Sequence, residues 1–130
     1  MPDALIESSR WTFVKRRADG RVDFVSPIPC PYNYGCLPGT TSGDGDPIDV
    51  IVLGPRLAAG TRVSLPVVAE VEFVDEGRAD TKLVLSATPL MPAQARGLVA
   101  FFRVYAVAKR GLARLRGRSG EIRFRALRSV

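Results

Sequence analysis

The sequence predicts a small, mainly β domain: a closed or partly closed barrel with one or two helices, one of them substantial and packed on it. Three observations predict this. Short apolar or alternating runs read as strands, turn residues punctuate them, and a single long segment carries apolar residues at helical spacing. At 130 residues there is room for one domain, 1–130, and for no second core. Hydrophobic residues make up 46% and charged residues 25%, which excludes a disordered, collagenous or coiled-coil chain.

The elements follow in order. Residues 10–14, RWTFV, read as a strand, Ala18-Asp19-Gly20 as a turn, and Arg21 to Val25 as the returning strand of a hairpin. Residues 26–48 hold five of the ten prolines and four of the twelve glycines, which predicts an ordered irregular loop. Val50 to Leu53 is an unbroken apolar strand, the pattern of burial on both faces. Residues 62–74 give one or two strands, DEGRAD a polar loop, and TKLVLSA another strand. Pro92 opens a helix to about Lys109, with Leu98, Phe101, Phe102 and Tyr105 on its apolar face and Gly111 closing it. The tail RLRGRSGEIRFRAL reads as a hairpin with one basic face.

Nineteen Lys and Arg against thirteen Asp and Glu give +6 and favour an anionic partner. There is no histidine. That excludes Ser-His-Asp and Cys-His catalysis, His-ligated zinc and an imidazole base. Cys30 and Cys36 read as reduced packing residues of a cytosolic protein, since a lone bridge is no disulfide framework. MPDALIESSR carries neither a basic n-region nor an apolar run, so no signal peptide is expected. The most apolar helical stretch, Gly97 to Ala108, is broken by Arg103 and too short for a bilayer, so no membrane is expected.

The sharpest feature is GDGDPIDVIVLG. Asp44, Asp46 and Asp49 fall just before a buried strand, with Gly43 and Gly45 letting the backbone curl and Pro47 stiffening the turn. Asp75 and Asp80 bracket a second loop, and Lys82 begins the strand after it. If the two strands are neighbours, five carboxylates share one rim. Two like charges about 4 Å apart repel by roughly 1 kcal/mol even in water, so such a rim needs a cation. Hard oxygen donors select Mg²⁺ or Mn²⁺, or Ca²⁺. An EF-hand does not fit, because its glycine position falls on Asp49 and its final glutamate on Pro55.

On these residues the sequence resembles the soluble family I inorganic pyrophosphatases. CPYNYGCLPGT (30–40) looks like the family's YP-x-x-YG-x-(I/L)-P-x-T loop, SGDGDPIDVIVL (42–53) matches its DGDP-x-D signature, and FVDEGRADTKLV (73–84) resembles its D-x4-D-x-K block. FFRVY (101–105) is a weaker match on the helix. The resemblance covers about residues 5–110. It implies an OB-like five-stranded barrel with helices, and Mg²⁺-dependent hydrolysis of pyrophosphate, commonly in a homo-oligomer. It further implies that Asp44, Asp75 and Asp80 hold one metal, that Asp49 bridges to a second, and that Glu7 stands for a family glutamate near the first strand. By the same resemblance Asp46 would orient or deprotonate the attacking water, and Tyr34, Lys82 and Tyr105 would bind phosphate oxygens. Metal ions screen a polyanionic substrate and acidify water, so catalysis is mainly positioning, with no histidine required.

The phosphate side departs from the pattern. Arg10 stands where the family has a strand lysine, VDFVSPIP lacks the family's arginine, and Ala106 replaces the lysine after the helix tyrosine. Arg16, Arg17, Arg21, Lys109 and the tail arginines Arg114, Arg116, Arg118, Arg123 and Arg125 are the candidate replacements. Two other readings stay open: a relative cleaving a nucleotide phosphoanhydride, and a non-catalytic basic module on single-stranded nucleic acid. The aspartates argue against the latter, because they would repel a phosphate backbone.

Overall fold

The computed structural model describes residues 1–16, 22–43, 45–118 and 120–130, with side chains for all of these except 13–16 and 22–28. The described residues form ten strands and one helix. In chain order these are β1 (Asp3–Ser8), β2 (Thr12–Arg16), β3 (Val22–Cys30), β4 (Asn33–Leu37), β5 (Ile48–Val52), β6 (Arg62–Ser64), β7 (Val67–Asp75), β8 (Arg78–Ala79), β9 (Lys82–Leu85), α1 (Pro92–Leu115) and β10 (Arg123–Ser129). One curled sheet runs β10-β7-β9-β5-β4-β1-β6, with β8 on β7; β2 and β3 pair separately. The architecture is mainly β with one helix, an OB-like half-barrel.

β5 shows why the central strands form. Its consecutive residues divide between two cores: Ile51 packs under α1, while Val50 and Val52 pack on the opposite face with Ala4, Ile6, Leu37 and Leu85. A strand buried on both faces has to be apolar throughout. β5 pairs with β9 in parallel, in the register Asp49↔Lys82 to Val52↔Leu85; the other ladders are antiparallel.

α1 closes the first core with Leu98, Phe102, Tyr105 and Ala106, one stripe at helical spacing. Phe102 stacks on Phe124 of β10 and meets Phe73 edge-on. Complete burial of such a side chain is worth about 2 kcal/mol. Pro92 opens the helix as expected, and Gln94 Oε1 accepts from the Met91 amide at 2.9 Å.

Five readings need correction. The helix passes through Gly111, because one exposed glycine costs only about 1 kcal/mol. It stops at Gly117, whose φ of 67° closes a cap in which the Arg118 amide donates to Ala113 O and the Gly117 amide to Arg114 O. The tail is no hairpin: its first residues finish the helix and β10 pairs with the distant β7. Within the expected loop of 26–48, β3 runs to Cys30 and Asn33–Leu37 is a strand between β1 and β5. Asp3–Ser8, which the pattern leaves unassigned, is a strand as well. The DEGRAD loop is a tight hairpin: Glu76 and Gly77 turn with φ of 51° and 82° between β7 and β8. Cys30 and Cys36 are not joined in a disulfide, and burial pushes the Cys30 pKa up to about 11.

Candidate active site

The two acid-rich segments meet because their strands are neighbours. The register Asp49↔Lys82 sets the start of β5 beside the start of β9, and Cys36↔Asp49 continues the row into β4. Tyr34 comes two residues before Cys36 on β4 and is half-buried. The glycine-rich turn ahead of β5 is held by the Ser42 amide on Asp46 O at 2.7 Å and the Gly45 amide on Ser42 O at 3.1 Å, with Gly45 at φ 88°. A Cβ on Gly43 would fall 2.8 Å from Ala79 O, so glycine is what lets this turn lie against β8.

At the centre stands Lys82, 4% exposed. Its Nζ donates to Tyr34 Oη at 2.7 Å, Asp80 Oδ2 at 2.8 Å and Asp49 Oδ2 at 3.1 Å. All three ammonium protons are thereby engaged. Burial works against the charge, but Tyr34, Asp49, Asp80 and Tyr105 more than offset it and hold the Lys82 pKa well above the usual lysine value. Burial and then the Asp49 charge push the Tyr34 hydroxyl well above its ordinary range, against the pull of Lys82. At neutral pH the group is therefore an ammonium and a neutral phenol facing buried carboxylates.

The other expected residues lie in different settings. Tyr105 is 9% exposed, packed on Phe73 and Phe101. Asp75 ends β7 and pairs with Lys109 of α1, Nζ to Oδ2 at 2.5 Å. Asp46 is exposed on the turn, and Glu7 is buried on β1. Arg10 braces the backbone: its Nε donates to Pro31 O at 3.1 Å and its guanidinium to Gly54 O at 2.8 Å. Asp44 lies outside the described residues, as do Arg17, Arg21 and the side chain of Arg16. Among the described residues no three carboxylates converge as a ready metal cage. The donors nevertheless suit a hard divalent cation: Asp49, on β5, and Asp80, just after β8, present carboxylate oxygens already gathered around one positive charge.

Sequence reasoning passes over Asn33, which is fully buried. Its Oδ1 accepts from the Leu57 amide at 2.8 Å and the Arg10 amide at 3.3 Å, and its Nδ2 donates to Pro55 O at 2.8 Å and Val52 O at 3.3 Å. It pins the loop after β5 to the site strand. A polar residue between two tyrosines in a strand is the only signal it leaves.

Fold and site together define a class: an OB-like half-barrel whose strand ends carry a buried ammonium among carboxylates. Comparison with known proteins makes the class specific. The inorganic pyrophosphatase family model matches residues 5–114. The inorganic pyrophosphatase of Aeropyrum pernix is 35% identical over 80 residues, 59% of this chain and 46% of that protein. That of Haemophilus influenzae is 32% identical over 87 residues, 65% and 48%. The crystal structure of the Thermus thermophilus inorganic pyrophosphatase superposes with a TM-score of 0.80 at 23% identity, over 98% of this chain and 81% of that one, a likeness of fold. The chain belongs to the inorganic pyrophosphatase family. It spans about half the length of the curated relatives it matches. Family membership implies a divalent-metal requirement. Among the described residues, no helix is long and apolar enough to cross a membrane.

Proposed function

We propose that this chain hydrolyses inorganic pyrophosphate to two phosphates as a single domain, with Mg²⁺ as cofactor and Mn²⁺ as a substitute. The observation that carries the reading is the Lys82 ammonium, buried at strand ends and shared by Tyr34, Asp49 and Asp80. Family membership supports the substrate. Asp44, Asp49, Asp75, Asp80 and Glu7 would hold the divalent ions. When bound, the cation screens the substrate's negative charge and polarises its phosphoryl oxygens.

The chain's own residues do the rest. Lys82 and Tyr34 are both protonated at neutral pH; Lys82 turns one N–H from its present acceptors to a phosphate oxygen, Tyr34 offers its O–H, and Tyr105 adds a third donor. These groups sit on rigid strands and a packed helix, so the anion meets dipoles already in place. Arg10 contributes charge from a guanidinium anchored on Pro31 and Gly54 carbonyls. Asp46, exposed on the turn, takes the proton of the attacking water. The water oxygen bonds to one phosphorus, that phosphorus loses its bond to the bridging oxygen, and the second phosphate departs; no covalent enzyme intermediate is required.

The test is phosphate release from pyrophosphate with and without Mg²⁺. Wild type should turn over only with the metal. Asp46→Asn and Asp49→Asn should each lose about 100-fold or more in kcat, the scale of a lost proton acceptor or charge-stabilising group. Undiminished release by both mutants would overturn the reading. ADP and ATP run alongside decide the substrate: kcat/KM should be highest for pyrophosphate, and a higher value for a nucleotide reassigns it. The reading also places the protein in the cytoplasm as a homo-oligomer; exposed Val104, Val107 and Leu115 on the outer face of α1 support self-association.

A further inference from the structure

Lys109 lies one helical turn beyond Tyr105, and this spacing lays its stem along the tyrosine, with Nζ 5.7 Å from the ring centroid. The same ammonium meets Asp75, and the two side chains are 23% and 28% exposed. The contrast with Lys82 is informative. Lys82 is almost dry and spends its protons on three fixed acceptors. Lys109 is partly exposed, on a flexible four-carbon stem, with water competing for its charge. An ion pair in that setting is held weakly and exchanges partners readily. Tyr105, on which Lys109 rests, packs 5.9 Å from the Phe73 ring, and Lys82 Nζ lies 5.7 Å from the centroid of that same ring. The Lys109 ammonium thus stands between a carboxylate assigned to the cation and the group assigned to the anion.

We propose that Lys109 is an exchangeable counter-ion that couples anion binding to divalent-cation binding. In the ligand-free protein it neutralises Asp75. When a phosphate-bearing anion enters against Tyr34 and Lys82, the ammonium turns along the Tyr105 ring from the carboxylate to a phosphate oxygen. The Asp75 carboxylate is then released to the cation. The inference rests on the pyrophosphatase reading and adds a reason for the two ligands to bind together. Coupling of this kind is reciprocal: phosphate tightens the cation by the factor with which the cation tightens phosphate.

The test is Mn²⁺ binding to the full chain, followed by electron paramagnetic resonance, with and without inorganic phosphate. Lys109→Met keeps the stem on Tyr105 and removes the charge. Lys109→Arg keeps the charge. Arg128→Met is the control for a diffuse field, since Arg128 pairs with Glu72 on the same strand as Asp75, at 2.8 Å, and its side chain is 66% exposed. In wild type, phosphate should tighten Mn²⁺ by about 5-fold or more. In Lys109→Met, Mn²⁺ alone should bind tighter than in wild type, and the tightening by phosphate should shrink by about 3-fold or more. Lys109→Arg should retain the coupling, and Arg128→Met should titrate as wild type. Wild-type titrations from Lys109→Met, or an equal change in Arg128→Met, would overturn the proposal while pyrophosphate hydrolysis still stood. A wild type that neither releases phosphate from pyrophosphate nor binds Mn²⁺ would overturn both.

Discussion

Deleting the Lys82 ammonium leaves Asp49 and Asp80 facing each other with little water. A buried charge stripped of its partner costs more than the pair contributes, so Lys82→Met should lower metal-free stability by about 3 kcal/mol. Denaturant melts in chelator measure it; a loss below about 1 kcal/mol would show that the carboxylates relax to solvent. The pH dependence follows from the direction of the shift. The folded pKa of Lys82 is raised, so its contribution is complete below the unfolded value of 10.5 and is lost as pH climbs through the folded one. The gap between wild type and Lys82→Met should therefore be constant from pH 7 to about 10 and close only beyond it. These residues are legible in the sequence because the chemistry demands them: acids crowded within six positions need a cation, and DGDP-x-D followed by D-x4-D-x-K names them. Arg10 shows the limit. Its identity is readable, but its bonds to Pro31 and Gly54 depend on loops that meet only in the folded chain.

Elements are legible where one segment contains its own reasons. The VIVL run, the 92–109 stripe and the strand after DEGRAD depend on local periodicity and form where the pattern puts them. β4 is different, because its five residues sit among prolines and glycines. The glycine in its centre reads as a turn but serves a close approach: a Cβ on Gly35 would run into the Leu5 carbonyl oxygen, on the neighbouring β1. Gly35→Ala should therefore push β1 and β4 apart and cost more than about 3 kcal/mol, far above a helix-surface glycine change. Gly111→Ala is the matched comparison; it has open space around it and should stabilise by up to about 1 kcal/mol. Equal effects in thermal melts would refute the steric account. β10 shows the opposite limit: its alternation is visible, yet nothing in the tail says that its partner is β7.

At the scale of the whole molecule, the sheet's inner faces are covered and the outer face of α1 is not. Val104, Val107 and Leu115 are 57%, 60% and 87% exposed. Light scattering after size exclusion should give a mass above 14.1 kDa, and Val104→Glu with Val107→Glu should reduce it to that of a single chain. A single-chain mass for wild type would remove the oligomer. Apolar spacing reveals the helix face toward the core, but not what meets the other side, since that information lies in a second surface. The parallel β5–β9 ladder has one more consequence. No turn can join two parallel rows, and here the connection is the whole of 53–81, with β6, β7 and β8 inside it. Distant pairings of this kind close slowly. The ammonium and its acids thus come together only once the sheet between them is built, and a nascent or half-denatured polypeptide holds every one of these residues without possessing the site.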